Sequence, residues 1–244
     1  MKGGGRNIKK LVDHIKGSEH YIKEFATWEA SEQIIDDNKA FWMLKKPGSQ
    51  CQKVCLYRDG CNMFVYGDYG QFTFDSMTWT GSVYNLEYDN IGYQMEKLNH
   101  ESKESLRVFD EGKCVKDIYD WLKEHLEDLY DIEDEIIEKI IKFFKENVYI
   151  HDSHIDEFCI QNNIEELKDI LLFTKRALEN TDESTWIVFL RNSNLEDFDD
   201  PCESYLWNAG KCIHQRYFIC MYALQICGEK LLKEKENEEV CQMN

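Results

Sequence analysis

Hydrophobic residues near the start of the chain recur every three or four positions, which is the spacing of one face of an α-helix. The pattern within residues 6–25 is interrupted at Gly17 and Ser18, so it predicts two short helices rather than one. Its apolar members are Ile8, Leu11, Val12, Ile15, Tyr21, Ile22 and Phe25.

After Ala40 the helical spacing gives way to short runs of strand-forming residues, part of which alternate apolar and polar positions, as strands do. Asp59 and Gly60 form a pair that strongly favours a two-residue hairpin turn, and Pro47-Gly48 indicates another chain reversal. The pattern predicts a four-stranded antiparallel meander over residues 40–76, with strands in segments 41–44, 50–57, 61–66 and 71–74.

Beyond this sheet the chain carries helical periodicity, and Pro201 is the only proline that interrupts it. Asp131 is a suitable N-cap for a helix whose apolar stripe contains Ile136, Ile140 and Phe143. The charge-rich segment 230–239 is expected to be the fraying end of the last helix. The other helical segments predicted are residues 91–98, 115–126, 164–178, 185–190 and 205–232.

These elements predict an α+β fold, with a small antiparallel β-meander covered by helices and a helical C-terminal half. Of the 244 residues 43% are hydrophobic, which is enough apolar material for a sizeable core. Residues 1–100 are predicted to hold the N-terminal helices and the four-stranded sheet. Residues 101–244 are predicted to form an acidic helical region packed on it, either as a second domain or as part of one continuous domain.

Acidic residues are concentrated in the middle of the sequence. The chain has 47 Asp and Glu against 29 Lys and Arg, a net charge of -18, which excludes binding nucleic acid through a general basic surface. Residues 101–200 contain 28 acidic and 12 basic residues, so they carry -16 of that charge. This region is therefore the first candidate for binding a basic partner, and the alternative is a solvated helix face without a partner.

The densest acidic stretch covers residues 117–135, which contain nine carboxylates and one lysine. As one continuous helix they would carry roughly one net charge per 3.4 Å, about the linear density of one nucleic-acid strand. The candidate partner-binding residues are Asp117, Asp120, Glu124, Glu127, Asp128, Asp131, Glu133, Asp134 and Glu135.

The ten cysteines are irregularly spaced, and the sequence shows neither an apolar export signal nor an apolar run long enough for a membrane helix. We therefore expect reduced thiols in a cytoplasmic protein without disulfides or a membrane partner. Cys51, Cys55 and Cys61 lack a CxxC unit, so packing is favoured over zinc binding. Cys220 and Cys227 share one stripe of an apolar helix and are expected in the core.

A second group of metal-ligand types is His151, His154 and Cys159. Their spacing does not match a CxxC unit or a pair of ligands four residues apart on a helix. Ser153 is followed by acidic residues three and four positions later, a pattern that favours a helix N-cap over a metal site. The sequence therefore predicts no metal site and no cofactor.

Catalytic motifs are missing from the sequence: it has no GxSxG elbow, no P-loop and no GxGxxG. Gly67, Asp68 and Gly70 lie between two predicted strands and are interpreted as a structural turn. At least one of the glycines should have positive φ, and the Asp68 carboxylate should bond nearby backbone amides. No catalytic residue is predicted.

Four segments of the chain together resemble a widespread family of uncharacterised phage and prophage proteins. They are Lys45-Lys46-Pro47-Gly48-Ser49, the hairpin at Asp59-Gly60, the strand region Val65 to Phe74 containing Gly67-Asp68-Tyr69-Gly70, and Ile91-Gly92-Tyr93-Gln94-Met95-Glu96-Lys97-Leu98. The resemblance covers residues 26–98, with a weaker echo in 216–224. It implies a phage-borne accessory protein of the host cytoplasm and supplies no catalytic residue. Small acidic phage proteins of this kind are often inhibitors of host immunity, such as anti-CRISPR proteins.

The first functional hypothesis is a phage-encoded inhibitor that binds a host defence protein or nuclease complex stoichiometrically. Its acidic surface would occupy a basic groove, in the manner of a nucleic-acid mimic, and no direct nucleic-acid binding is expected. One alternative is an accessory enzyme acting on a nucleotide or protein, built around Asp68 or the His151 group. The other is a structural or oligomeric phage component held by the apolar C-terminal helices.

Overall fold

The chain folds into two compact units. The computed structural model describes residues 8–75, 82–85, 91–130, 132–147, 149–199 and 204–242. We call Met1–Arg107 with Ile213–Asn244 the sheet unit, and Val108–Cys212 the helical unit. This division differs from the two consecutive segments 1–100 and 101–244, because the end of the chain returns to the first unit.

An antiparallel sheet with strand order β1-β2-β3-β4-β5 forms the centre of the sheet unit. The fold class is α+β, as predicted, but the sheet has five strands rather than four. The additional strand is β1, whose exposed polar residues show no apolar alternation in the sequence. The strands are β1 (Glu29–Ile34), β2 (Lys39–Lys45), β3 (Lys53–Asp59), β4 (Asn62–Gly67) and β5 (Gly70–Phe74).

Helices account for most of the remaining described residues. The predicted segment 205–232 is not one helix: Tyr205–Asn208 is a 3-10 turn and a short strand follows before the last helix begins. The helices are α1 (Ile8–Asp13), α2 (Ser18–Ala26), α3 (Ile91–Lys97), α4 (His100–Leu106), α5 (Glu111–Tyr130), α6 (Asp134–Glu146), α7 (Asp152–Asn162), α8 (Lys168–Leu178), α9 (Glu183–Asn192) and α10 (Gln215–Gln242). Two short strands, β6 (Arg107–Phe109) and β7 (Lys211–Ile213), pair with each other.

One face of the sheet is buried because the strands alternate. In β2, Ala40, Trp42 and Leu44 are buried, and the residues between them are partly exposed. These side chains share a core with Tyr217 and Leu224 of α10. We call this the inner face of the sheet, and the opposite one the outer face. Covering the inner face removes apolar area from water, which explains why α10 belongs to the sheet unit.

The far part of α10 is tied to the sheet unit and is not a fraying end as predicted. Nζ of Lys235 lies 2.8 Å from Oε1 of Glu32 in β1. The other oxygen of Glu32 accepts hydrogen bonds from Trp42 Nε1 at 2.9 Å and from the Tyr84 hydroxyl at 2.6 Å. Burial would raise the pKa of Glu32, but the hydrogen bonds from Lys235, Tyr84 and Trp42 outweigh it, so this pKa is lowered.

The helical unit has its own apolar core. Its centre contains Trp121 of α5 and Trp186 of α9, both fully buried, together with Leu171 of α8. Trp186 Nε1 donates to the Leu206 carbonyl oxygen at 3.2 Å, so its polar atom is satisfied inside the core. This core positions the acidic helices α5 and α6.

Candidate partner-binding surface

Helix α5 presents its acidic residues to solvent because its other face is apolar. Ile118, Trp121 and Leu122 are buried in the core of the helical unit. On the opposite side Asp120 and Glu124 are exposed, four residues apart and therefore one above the other. Glu127 and Asp128 continue this exposed stripe by one further turn. The predicted carboxylates of α5 therefore share one face, with one exception.

Asp117 is the exception, because its carboxylate is used inside the unit. It is only 15% exposed, and its Oδ2 accepts the backbone N–H of Gly210 at 2.9 Å. The same oxygen pairs with Lys113. The Tyr205 hydroxyl also donates to the Asp117 backbone carbonyl at 2.7 Å. Asp117 thus joins α5 to the segment before β7 and is not available to a partner.

Two further predicted carboxylates are neutralised on their own helices. Glu127 lies 3.3 Å from Nζ of Lys123, and Glu135 lies 2.8 Å from Nζ of Lys139. Both pairs have a spacing of four residues, which places oppositely charged side chains side by side. Both ion pairs could have been predicted from the sequence, because each of these acids has a lysine four residues away.

The predicted carboxylates that remain are exposed and make no ion pair within the described part of the chain. Lys123 links the two helices electrostatically. Its pKa is raised by the hydrogen bond with Glu127 and, further, by the charges of Asp134 and Glu138 on α6. We call the five exposed carboxylates without an ion pair the unpaired acidic surface: Asp120, Glu124, Asp128, Glu133 and Asp134.

The acidic stretch 117–135 is not one continuous helix. Helix α5 ends at Tyr130 and α6 begins at Asp134, with Glu133 as its N-cap. Asp131, the predicted cap, lies outside the described residues. Asp134 and Glu135 lie in the first turn of α6, where negative charge is favoured by the helix dipole. The surface is therefore built from two helix segments and not from a continuous line of charge.

The His151 group does not assemble a metal site. Asp152 and Asp156, which lie between its members, pair with Lys175 at 3.2 Å and with Lys168 at 2.8 Å. Cys159 is buried, which raises the pKa of its thiol. Across the described residues no group of three or more His, Cys, Asp or Glu side chains is arranged to hold a metal ion.

The N-terminus of α7 differs in detail from the sequence interpretation. The helix begins at Asp152 and its N-cap is His151, not Ser153. The His151 backbone N–H points to Nδ1 of His154 at 3.4 Å, and the His154 N–H donates to the His151 carbonyl at 2.9 Å. The two histidines therefore stabilise the start of a helix.

Residues 67–70 form the turn between β4 and β5. Gly67 has φ 153° and Gly70 has φ 136°, so both glycines have positive φ. A Cβ on Gly67 would overlap the carbonyl oxygen of Lys53 in β3. Asp68 donates its backbone N–H to that oxygen at 3.0 Å, whereas its exposed carboxylate accepts no hydrogen bond from the described residues. The predicted bonds from the Asp68 carboxylate to backbone amides are therefore not formed.

The cysteines are used as packing residues or lie at the surface. All nine in the described part of the chain are free thiols, and Cys202 lies outside it. Burial raises the pKa of Cys55 and brings that of Cys220 and Cys227 to about 12. These thiols are therefore protonated and unreactive at neutral pH.

No protein-family model matches the chain, and comparison with curated proteins and with solved structures gives no match either. The phage family suggested by the sequence therefore stays a prediction. Among the described residues, none of the helices combines the length and the apolar character needed to cross a bilayer.

Proposed function

We propose that the protein is a phage-encoded inhibitor that binds a host defence complex stoichiometrically and occupies its basic groove. The observation that carries this proposal is the segregation of charge. The helical unit contains 27 acidic and 11 basic residues, a net charge of -16, whereas the sheet unit contains 20 and 18, a net charge of -2. A field of one sign confined to one unit attracts a basic surface and speeds its association.

The unpaired acidic surface is the proposed contact. Its carboxylates have no lysine or arginine within ion-pair distance among the described residues, so each is available to a cation on the partner. Arginines and lysines that line nucleic-acid channels provide such cations. Helices α5 and α6 already hold these carboxylates in place. The rest of the unit therefore does not have to become ordered on binding, and that entropy cost is avoided.

The enzyme and oligomer alternatives have less support. The two proposed catalytic centres consist of an exposed turn carboxylate, Asp68, and a helix cap formed by His151 and His154. Cys159, the thiol of the His151 group, is buried and its pKa is raised. Most apolar residues of α10, which were to hold an oligomer together, are buried in the core of the sheet unit, and Leu232 and Val240 are exposed.

The experiment is a displacement assay with purified nuclease effector complexes of bacterial defence systems, loaded with fluorescent nucleic acid. We expect the parent protein to form a complex of fixed stoichiometry with one effector and to displace the label. A variant with Asp120, Glu124, Asp128 and Asp134 changed to Lys should lose this activity. The matched control changes four exposed acids elsewhere in the helical unit to Lys: Glu157, Glu166, Glu183 and Glu196.

The control keeps the same net charge change, so it separates a specific surface from the overall field. Equal loss in both variants would show that net charge alone is responsible. Displacement unchanged in the first variant, or no complex with any effector, would refute the proposal. Turnover of a nucleotide substrate or self-association alone would instead support one of the two alternatives.

A further inference from the structure

The sheet unit contains a polar cavity of about 640 Å³ that none of the functional hypotheses uses. One wall is the outer face of β4 and β5, and the other wall includes residues of α4 and Arg216 of α10. All of its lining residues belong to the sheet unit. Its volume falls in the range of sites for small organic ligands.

Two aromatic rings of β4 line this cavity. Phe64 and Tyr66 are each 38% exposed, although neighbouring strand positions are buried. Each ring has a second ring beside it. The ring centroids of Tyr57 and Phe64 are 6.0 Å apart, and those of Phe41 and Tyr66 are 6.3 Å apart. Supported but accessible aromatic rings are suited to stacking against a planar group.

Hydrogen-bonding groups lie directly beside these rings on β5. The register pairs Phe64 with Thr73 and Tyr66 with Gln71. The side chains of Gln71 and Thr73 make no hydrogen bond to the described residues, so an amide and a hydroxyl remain available. A planar ligand ring with hydrogen-bond donors and acceptors on its edge could therefore stack on the aromatic rings and form hydrogen bonds with Gln71 and Thr73.

A charged group without an ionic partner completes the cavity. The guanidinium of Arg216 donates from Nη2 to the Ser105 carbonyl, and no carboxylate lies within 4 Å of it among the described residues. Its Nε–H is buried and finds no acceptor there. A Cβ on Gly70 would lie 3.3 Å from Cδ of Arg216, so the glycine allows the arginine to pass close to the turn. An arginine without an ionic partner among the described residues is suited to an anionic ligand.

We propose that this cavity binds a nucleotide-type ligand, in which a planar heterocycle is joined through a sugar to a phosphate. The heterocycle stacks on the rings of Phe64 and Tyr66, and its edge meets Gln71 and Thr73. The phosphate is bound by Arg216. Glu101, an exposed carboxylate of the lining, accepts hydrogen bonds from sugar hydroxyls. This inference is independent of the inhibitor function proposed for the helical unit.

The test is isothermal titration calorimetry of the full chain with the four ribonucleoside monophosphates at about 0.15 M salt, where distant charges are screened. The corresponding nucleosides and inorganic phosphate serve as fragments. We expect at least one monophosphate to bind one to one and about tenfold or more tighter than either fragment. No saturable binding at millimolar concentration, or binding no tighter than phosphate alone, would overturn the proposal.

Variants separate recognition from folding. Arg216→Gln should reduce affinity for the monophosphate to that for the nucleoside, while the control Arg107→Gln, at an exposed arginine of the same unit, should leave it unchanged. Because Arg216 also bonds Ser105, a second variant is Gln71→Ala, which removes a side chain that makes no hydrogen bond to the described residues; it should weaken binding of both nucleotide and nucleoside. Parent-like binding by Arg216→Gln and by Gln71→Ala would place the ligand elsewhere.

The same chemistry is available as a free nucleotide or at the end of a nucleic-acid chain. A single-stranded pentanucleotide with a 5′-phosphate distinguishes the two sources. Tighter binding of the pentanucleotide than of the monophosphate identifies a chain end, and equal or weaker binding identifies the free nucleotide. Both results support the site, and binding of the pentanucleotide that does not depend on Arg216 contradicts it.

Discussion

The two units use their charged residues in opposite ways. The sheet unit carries almost balanced charge, and its Glu32 lies in a half-buried network with Lys235 and Tyr84. The helical unit carries -16 and leaves five of its predicted contact acids without an ion pair in the described residues. Removing one partner of a partly buried charge network leaves the other charge uncompensated and destabilises a fold, whereas exposed unpaired charge contributes little to stability and is free for recognition.

The largest expected effect comes from removing the central tryptophan of either core. Trp42→Ala and Trp121→Ala should each lower the free energy of unfolding of their own unit by about 3–5 kcal/mol, because a large cavity is left. Hydrogen exchange followed by mass spectrometry localises the loss of protection. The exposed Val188→Ala is the control. If each variant lost hydrogen-exchange protection equally in both units, the separation into two cores would be contradicted.

The turn between β4 and β5 should be the next most sensitive position. Gly67→Val places a Cβ against the Lys53 backbone at a positive φ and should cost about 3 kcal/mol or more. Asp68→Asn should be much milder, since its carboxylate accepts no hydrogen bond from the described residues. Thermal denaturation followed by circular dichroism measures both. A Gly67→Val protein that melts like the parent would show that the turn does not constrain the sheet.

Acid sensitivity should distinguish the two units by a smaller amount. The folded-state pKa of Glu32 is lowered, so its contribution is present above the ordinary glutamate pKa of about 4.3 and is lost as the pH falls through the folded value. Glu32→Gln should cost about 2 kcal/mol at neutral pH, and less at acidic pH. Urea unfolding of parent and variant between pH 7 and 3 measures this convergence.

In the helical unit the corresponding group is Asp182, the N-cap of α9. Hydrogen bonds from Ser184 and Thr185 lower its pKa to about 2, so its contribution is present above the ordinary aspartate pKa of about 3.9 and is lost as the pH falls through about 2. Because Asn keeps a capping oxygen, Asp182→Asn should destabilise the protein less than Glu32→Gln does at neutral pH, and its effect should shrink only below about pH 4. A parallel pH dependence for the two variants would remove this difference between the units.

The smallest effect on stability should follow from reversing the unpaired acidic surface. Changing Asp120, Glu124, Asp128 and Asp134 to Lys breaks no ion pair among the described residues and loses only the helix-dipole interaction of Asp134, so thermal stability should change less than in Trp121→Ala, Gly67→Val or Glu32→Gln. The melting temperature at low and moderate salt measures it. A loss as large as that of Glu32→Gln would mean that these carboxylates stabilise the helical unit and are not free for a partner.

Local patterns determined much of this architecture. The alternation in β2, the hairpin between β3 and β4 and the amphipathic character of α5 depend on residues within a few positions of each other. The two turn residues of that hairpin are Gly60 and Cys61, one position later than the predicted Asp59-Gly60, because Asp59 pairs with Asn62. Such patterns are visible in a sequence because burial of one face imposes a fixed period. The α+β class, the positive φ of the turn glycines and the exposure of most predicted carboxylates follow from them.

Only the tertiary structure decided which distant residues meet. Lys235 reaches Glu32 across 203 positions, Arg216 reaches Ser105 across 111, and Asp117 accepts from Gly210 across 93. These contacts return α10 to the sheet unit, create the Arg216 cavity and remove Asp117 from the acidic surface. They could not be predicted from spacing, because an ion pair or hydrogen bond between distant residues depends on how the whole chain packs and leaves no periodic signal in the sequence.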